Sequence, residues 1–305
     1  MLEVASELVG RHEVFEARQA SVLLRRQGQR THELEFFGSD GPAELERVAR
    51  REVAAAIVNP SVLLTLACRG VSPFVDPLPL RAVSVIPSQD QFVLAVRADA
   101  GLRRAEDLAG LDKPLRISVR GQRVHSVHIV LDHVLRACGT SLADLRQSGS
   151  TICYDDGMPN RGGRLDFVRA GERDAIFDEG ATSWTNDAAE AGMTILSLQE
   201  ETVARLETWG YRRAVLDTIS YPALDANVLT VDFSGWPVYV HEQADAGLVE
   251  MFCEALEARR LAIPLQDGSP LPLEQMCTDT AAAPLGVPLH DAARGFWAKR
   301  GYIAG

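Results

Sequence analysis

Short apolar runs that end in a turn and are followed by a helical pattern recur along this chain, and this alternation limits its fold more than any other feature. Residues 53–58 form an unbroken apolar run, which is typical of a strand buried on both faces. Asn59-Pro60-Ser61 ends that run before a helical pattern. The same order recurs at residues 115–119 and 174–177. The alternation predicts an α/β fold with a mainly parallel sheet.

The remaining patterns add elements around these strands. A helix is predicted to follow residues 120–122 and to end near Cys138, with Gly139 as its stop. Six further elements are predicted, namely helices at 13–27 and 42–51 and strands at 34–37, 79–86, 91–96 and 227–232.

A weak internal repeat indicates two halves. Residues 51–59 align with residues 171–178, and each copy places polar residues at the carboxyl end of a strand, just before a helix. Ligands bind at that edge in open α/β sheets. At 305 residues the chain also exceeds a comfortable single core. We expect two doubly wound α/β lobes joined by hinge strands, with a ligand cleft between them. The expected lobes are 1–90 with 229–305, and 91–228.

The charge balance limits the partners of such a molecule. The chain has 42 acidic and 31 basic side chains and a formal net charge of −11, which opposes nucleic acid or an anionic membrane as the main partner. A local arginine cluster is still able to bind a small anionic ligand. No apolar stretch approaches the roughly 20 residues of a membrane span, so no membrane insertion is expected.

The first 30 residues contain four glutamates and no basic start followed by an apolar run, so they do not match a secretory signal peptide. As the sequence stands, this predicts a cytoplasmic location, or a periplasmic one if a leader is missing. The five cysteines form no CxxC pair, which favours buried, reduced thiols.

Several short segments, in their order and spacing, resemble one family. The segments are Asp107-Leu108-Ala109-Gly110, the turn Gly38-Ser39, and the tail Pro288-Leu289-His290-Asp291-Ala292-Ala293 through Arg300-Gly301-Tyr302. From about residue 34 onward the chain resembles the TAXI group of TRAP-transporter-associated solute receptors. That resemblance implies a type II periplasmic-binding-protein fold, whose lobes close around a small carboxylate or amino acid and deliver it to a membrane transporter. Unlike the family, this chain shows no secretion signal, and residues 2–5 are at best a stub of the family's opening strand.

Arg120-Gly121-Gln122-Arg123 is the most informative segment for chemistry. A strand leads into a glycine turn, and the helix that follows presents unpaired N–H groups with a partial positive charge. Arg120 adds a bidentate, charge-assisted partner for a carboxylate or phosphate. The alternative is a solvated arginine beside an internally capped helix.

Three histidines, His125, His128 and His133, follow on the predicted helix. Successive residues turn by about 100°, so one metal ion is not able to collect all three. His128 shares a face with apolar residues and is expected to be a core histidine, whereas His125 is expected to reach the cleft. His290 is expected to cap the terminal helix. No nucleotide, protease or hydrolase motif occurs, and we predict neither a metal nor a cofactor.

Other polar residues at predicted strand ends complete the candidate site. Asp178 and Glu179 are expected either to contact the ligand or to stabilise a helix dipole. Trp184 either stacks on a planar ligand or packs in the core. The predicted ligand-binding residues are Ser39, Asn59, Ser61, Gln91, Arg120, Gln122, His125, Ser126, Asp178 and Glu179.

The sequence therefore predicts a solute-binding protein that closes around a small carboxylate-bearing ligand, an organic acid or an amino acid. A membrane transporter component is a possible second partner. The alternative is a cytosolic enzyme on the same fold that acts on an aromatic carboxylate or a vitamin-pyrimidine precursor. His125 with Glu179 is the acid–base pair to test in that alternative.

Overall fold

The computed structural model describes residues 17–24, 32–39, 42–263, 265 and 268–304. The chain divides into two compact units. The first comprises the described residues up to Gln89 and those from Ser234 onward, and the second runs from Asp90 to Phe233. The chain therefore passes between the units twice. The sequence predicts the second boundary between residues 228 and 229. The structure has it after Phe233, so residues 229–233 belong to the second unit.

The described strands are β1 Ala17–Leu24, β2 His32–Ser39, β3 Ala55–Ile57, β4 Leu80–Ile86, β5 Val93–Arg97, β6 Arg116–Arg120, β7 Thr151–Asp155, β8 Ala175–Asp178, β9 Met193–Ile195, β10 Arg213–Leu216, β11 Val228–Val231 and β12 Trp236–His241. The described α-helices are α1 Ala43–Ala49, α2 Ser61–Arg69, α3 Val127–Ala137, α4 Leu142–Gln147, α5 Arg164–Arg169, α6 Ala181–Glu190, α7 Glu200–Trp209, α8 Ala246–Arg259, α9 Leu273–Met276 and α10 Asp291–Lys299. Within the described ranges, no helix combines the length and the apolar character that crossing a membrane requires.

Each unit is an α/β structure built on a five-stranded mixed sheet. The first sheet has the order β1-β2-β3-β12-β4, and the second has the order β7-β6-β8-β5-β9. β2 pairs in parallel with β3, as β6 does with β8. The fourth strand of each sheet, β12 in the first and β5 in the second, is antiparallel to both of its neighbours. Each of these two strands is the first strand after the chain enters its unit from the other one. The two sheets thus agree from the second to the fourth strand, with β3 and β8, the strands of the internal repeat, at the same position. They differ at the first strand, because β1 is antiparallel to β2 whereas β7 is parallel to β6.

Helix α3 shows how the sequence builds the second unit. Its buried apolar residues recur at three- and four-residue spacing, so one face packs into the core. The helix ends before Gly139, whose φ of 86° suits glycine. The buried core of the same unit contains Trp184, Leu165 and Ile176. Trp184 is only 1% exposed and donates from Nε1 to the Glu179 carbonyl at 2.9 Å, so it packs in the core.

The predicted helix at 13–27 is wrong where the structure describes it. β1 is a strand that pairs antiparallel with β2 over eight residues, from Ala17 opposite Ser39 to Leu24 opposite His32. This pairing provides backbone hydrogen bonds between the two strands, and such bonding outweighs a local helical pattern. Residues 13–16 and 25–27 lie outside the described residues.

The predicted strand at 227–232 exists. β11 pairs antiparallel with β10 inside the second unit. The return to the first unit falls after Phe233, and β12 is the first strand beyond it.

Candidate functional site

Charged side chains gather at the carboxyl edge of the second unit's sheet. The parallel strands β6, β7 and β8 end in Arg120, Asp155 and Asp178. Arg120 lies opposite Asp155 in the register. Because the carboxyl ends of parallel strands meet at one edge, the topology brings an arginine beside two aspartates.

Arg120 is held by two carboxylates of its own unit. Its Nε and Nη2 lie 3.2 and 3.1 Å from Asp178 Oδ1, and Nη2 also contacts Glu179 Oε1. The Arg120 side chain keeps 18% of its surface exposed, whereas that of Asp178 is fully buried. Its third nitrogen, Nη1, has no acceptor among the described residues. The guanidinium is therefore fixed on one side and open on the other.

A second arginine supports this arrangement. Arg164, the first residue of α5, is fully buried and forms an ion pair with the other oxygen of Asp178, Oδ2. Its Nη1 lies 3.4 Å from Ser118 Oγ. Burial lowers the pKa of Arg164 to about 10, so the guanidinium stays charged at neutral pH. Asp178 thus binds two guanidiniums, one through each oxygen, and the cluster of Arg120, Arg164, Asp178 and Glu179 has no net charge.

Asp90 fixes the start of the helix that follows this cluster. Its carboxyl accepts hydrogen bonds from the N–H groups of Gly180 at 2.9 Å and Ala181 at 3.0 Å, which lie at the N-terminus of α6. Burial, together with the charge and hydrogen bond of Glu179, raises the pKa of Asp90 well above its usual range. This helix end is therefore occupied by a carboxyl group of the chain itself.

The loop from β6 to α3 leaves backbone donors unused. The N–H groups of Arg123 and Val124 make no hydrogen bond to any residue that the structure describes. Gly121 brings the loop close to the neighbouring strand: its N–H donates to the Asp155 carbonyl at 2.9 Å, and an added Cβ would lie 2.4 Å from Asp156 Oδ1. Two consecutive free N–H groups before a helix favour a bound anion.

His125 caps this helix and does not reach outward as predicted. It is 5% exposed, and its Nδ1 accepts the N–H of Val127 at 3.1 Å. Burial, assisted by the positive charge of Arg120, lowers its pKa well below 6.5. His128 is half-buried, and its Nε2 lies 3.1 Å from the Gln122 carbonyl, as expected of a satisfied structural histidine. The described contacts include no hydrogen bond between His125 and Glu179.

Four other predicted residues belong to the second unit. Gln91 is buried, and its Oε1 accepts the hydroxyl of Tyr221 at 2.9 Å. Ser126 is fully buried at the N-cap of α3, and Gln122 is half-buried in the preceding loop. The sequence predicts a ligand contact for Asp178, but both of its oxygens bind arginines in the buried interior. Asp178 therefore positions Arg120 and does not face a ligand.

Three predicted residues belong to the first unit. Ser39 ends β2, Asn59 follows β3 and is half-buried, and Ser61 begins α2. Ser61 is 5% exposed, and its Oγ has no hydrogen-bond partner within the described part of the chain. Each residue thus stands at a strand end or a helix start, as the pattern predicts. The predicted terminal cap is confirmed, because His290 Nδ1 accepts the N–H of Ala292 at 3.2 Å.

Sequence reasoning missed Arg164 and the role of Asp90. Arg164 belongs to a short helix whose charges look like a solvated face, and no spacing rule pairs it with Asp178. Asp90 lies in the polar segment 88–91, and the pattern of that segment does not indicate a contact with residues 180 and 181. Arg164 and Asp178 are 14 positions apart, and Asp90 and Gly180 are 90 positions apart. Only the folded topology brings these pairs together.

No protein-family model matches the chain, and no curated protein matches it. Among solved structures, the chain is similar to the alkanesulfonate-binding protein SsuA from Xanthomonas axonopodis pv. citri bound to MOPS, with 17% identity, coverage of 73% of this chain and 63% of that one, and a TM-score of 0.28. It is also similar to a periplasmic transporter (13% identity, coverage 87% and 80%, TM-score 0.40) and to an ATP phosphoribosyl transferase complex from Thermotoga maritima (15% identity, coverage 84% and 92%, TM-score 0.36). The chain thus spans less than two thirds of the SsuA chain.

Proposed function

We propose that this protein binds a small carboxylate-bearing solute, an organic acid or an amino acid, at the carboxyl edge of the second unit. The observation that carries the proposal is the open side of Arg120. Two carboxylates fix the guanidinium, while Nη1 and the N–H groups of Arg123 and Val124 have no acceptor among the described residues. Donors that are fixed before binding lose little entropy when an anion arrives.

The electrostatics support a carboxylate of modest charge. Asp178 and Glu179 neutralise Arg120 and Arg164, so the cluster attracts an anion through the free donors and the partial positive charge of the helix start. A strongly charged anion would gain less from such a neutral cluster than from an unpaired arginine. Glu179, which is 11% exposed at its side chain, is placed to accept a hydrogen bond from a ligand hydroxyl or ammonium.

A solute receptor of this kind closes on its ligand. We propose that the first unit contributes Ser39, Asn59 and Ser61 to the same ligand and that the two units close on binding. The chain's resemblance to the TAXI group supports this role, including delivery of the solute to a membrane transporter. A ligand-dependent fall in the radius of gyration, measured by small-angle X-ray scattering, tests the closure.

A thermal-shift screen of carboxylates, each paired with its amide, tests the binding. A ligand at 100 times its Kd stabilises the folded protein by about 2.7 kcal/mol, and the matched amide should fail to do so. R120A should weaken binding by roughly tenfold or more, because a hydrogen bond to a charged group is lost.

R116A is the matched control for R120A. Arg116 begins the strand that Arg120 ends, and it forms an exposed ion pair with Asp174 at 2.6 Å. R116A should therefore leave ligand affinity unchanged. Equal affinity for wild type and R120A, or stabilisation by acids and amides alike, would overturn the proposed carboxylate site.

A further inference from the structure

The ring of Tyr154, on β7, is held between two arginines. The guanidinium carbon of Arg123 lies 3.3 Å from the centroid of the ring. On another side, Arg146 Nη2 donates to the Tyr154 hydroxyl oxygen at 3.2 Å. Because a single ring separates these contacts, the two positive charges lie within roughly 10 Å, about one Debye length at 0.1 M salt. Like charges at this distance repel each other unless an anion neutralises them.

Within the described part of the chain, neither guanidinium forms an ion pair. Some other exposed arginines of the second unit are neutralised, Arg161 by Asp187 and Glu190 and Arg213 by Glu200 and Glu207.

The acidic residues near Arg123 and Arg146 have other contacts. Asp144 accepts the hydroxyl of Ser141 at 2.7 Å, and Asp155 binds Arg173 at 2.8 Å. Asp156 lies against Gly121. His128, whose ring is 5.7 Å from that of Tyr154, adds no negative charge. Asp144 and Asp156 are exposed carboxylates, but within the described residues neither forms an ion pair with Arg123 or Arg146, so both guanidiniums keep free donors.

The donors of Arg123, Arg146 and Tyr154 remain available. The guanidinium carbon of Arg123 lies over the face of the ring, and no described residue accepts a hydrogen bond from its N–H groups. Arg146 uses only Nη2. The Tyr154 hydroxyl accepts from Arg146 and still has its own O–H to donate. Planar guanidinium forks match the oxygens of a tetrahedral oxyanion.

We propose that Arg123, Arg146 and Tyr154 bind a tetrahedral dianion, the phosphate of a small phosphorylated molecule or free phosphate. This site adjoins the carboxylate site at Arg120 but uses different groups: the carboxylate site uses the backbone N–H of Arg123, and the phosphate site uses its guanidinium. A polyanion such as nucleic acid is disfavoured, since the overall negative charge of the chain repels an extended negative ligand.

Isothermal titration of the whole protein with inorganic phosphate at 0.1 M salt tests this site, with glycerol phosphate and sulfate as further arms. R123Q and R146Q should each weaken phosphate binding by at least tenfold, and Y154F by a smaller factor. R213Q removes the same charge from an arginine that is already neutralised and should change nothing. Tighter binding of glycerol phosphate than of phosphate would identify a phosphomonoester as the ligand, and competition by sulfate would show that tetrahedral shape and charge suffice.

Three results would overturn the proposal: no phosphate binding by the wild type, equal binding by R123Q and R146Q, or an equal loss in R213Q. Arg123 and Arg146 are exposed, so their variants should fold, and NMR shifts of their Nε–H groups on phosphate addition read the site in the wild type. R120A should bind phosphate normally. Loss of carboxylate binding in R120A with phosphate binding intact therefore separates the two proposals.

Discussion

At the scale of single residues, Asp178 determines how the candidate site is held. Its two oxygens bind Arg120 and the buried Arg164. Removing one partner of a buried ion pair costs more than the pair contributes, because the remaining charge keeps its desolvation penalty without compensation. Arg164 has no second ion-pair partner in the described part of the chain.

D178N should therefore lower the free energy of unfolding by about 3–5 kcal/mol, the usual cost of leaving a buried charge unpaired. Urea denaturation followed by circular dichroism measures this change. D166N is the matched control, since Asp166 lies on the same short helix as Arg164 and pairs with Arg169 at the surface. It should change the free energy by less than about 0.5 kcal/mol. Similar losses in both variants would show that Asp178 does not stabilise Arg164.

At the scale of elements, the sequence predicts correctly those strands that depend on a local pattern. The strands at 53–58, 115–119 and 174–177 exist with shifts of one or two residues, because each is a short apolar run with a turn signal after it. The sequence does not predict β1 as a strand, because its pairing with β2 joins two segments that no periodicity connects. The residues of the candidate site also fall into those that a local pattern predicts and those that it does not. Arg120 and Glu179 are visible at strand ends, but the contacts of Asp178 with Arg164 depend on how α5 packs.

Helix α3 also begins with a histidine cap, which the sequence predicts for His290 but not for His125. His125 Nδ1 accepts the N–H of the residue two positions ahead, and His241 and His290 do the same at 3.0 and 3.2 Å. Each bond needs an unprotonated Nδ1, because a protonated nitrogen cannot accept. The start of α3, and with it the loop that carries Arg123, is therefore sensitive to pH.

The pH dependence follows from the lowered pKa of His125. In the unfolded chain a histidine titrates near 6.5, whereas burial keeps His125 neutral in the folded protein well below that value. The unfolded state therefore takes up the proton first as the pH falls. The stability from neutral His125 is present above about pH 6.5 and is lost as the pH falls toward the folded-state pKa, by up to about 1.4 kcal/mol per pH unit.

H125N removes this titration and keeps a capping acceptor. Between pH 7.5 and 5.5, the wild type should lose more free energy of unfolding than H125N, as measured by urea denaturation at each pH. Comparing the two proteins cancels the contributions of Asp90 and of other titrating groups. Parallel curves for the two proteins would contradict the assignment of His125 as a neutral cap.

At the scale of the whole molecule, the two units differ in how the chain forms them. The second unit is continuous from Asp90 to Phe233, whereas the first is assembled from segments on both sides of it. Each unit has its own five-stranded mixed sheet with helices, which is the plan of a complete α/β layer structure. The second unit also contains the proposed phosphate site and the arginine part of the proposed carboxylate site.

Residues 90–233 should therefore fold alone. All thirteen buried members of one core cluster of this unit, from Val93 to Val228, lie inside that range, so excision leaves this cluster whole. The isolated unit should show a single cooperative urea transition and dispersed NMR signals, and it should bind phosphate as the intact protein does, because Arg123, Arg146 and Tyr154 are retained. Carboxylate binding should weaken, since Ser39, Asn59 and Ser61 are absent. A non-cooperative transition would show that the second unit depends on the first for its stability, and full carboxylate affinity would show that the first unit contributes nothing to that ligand.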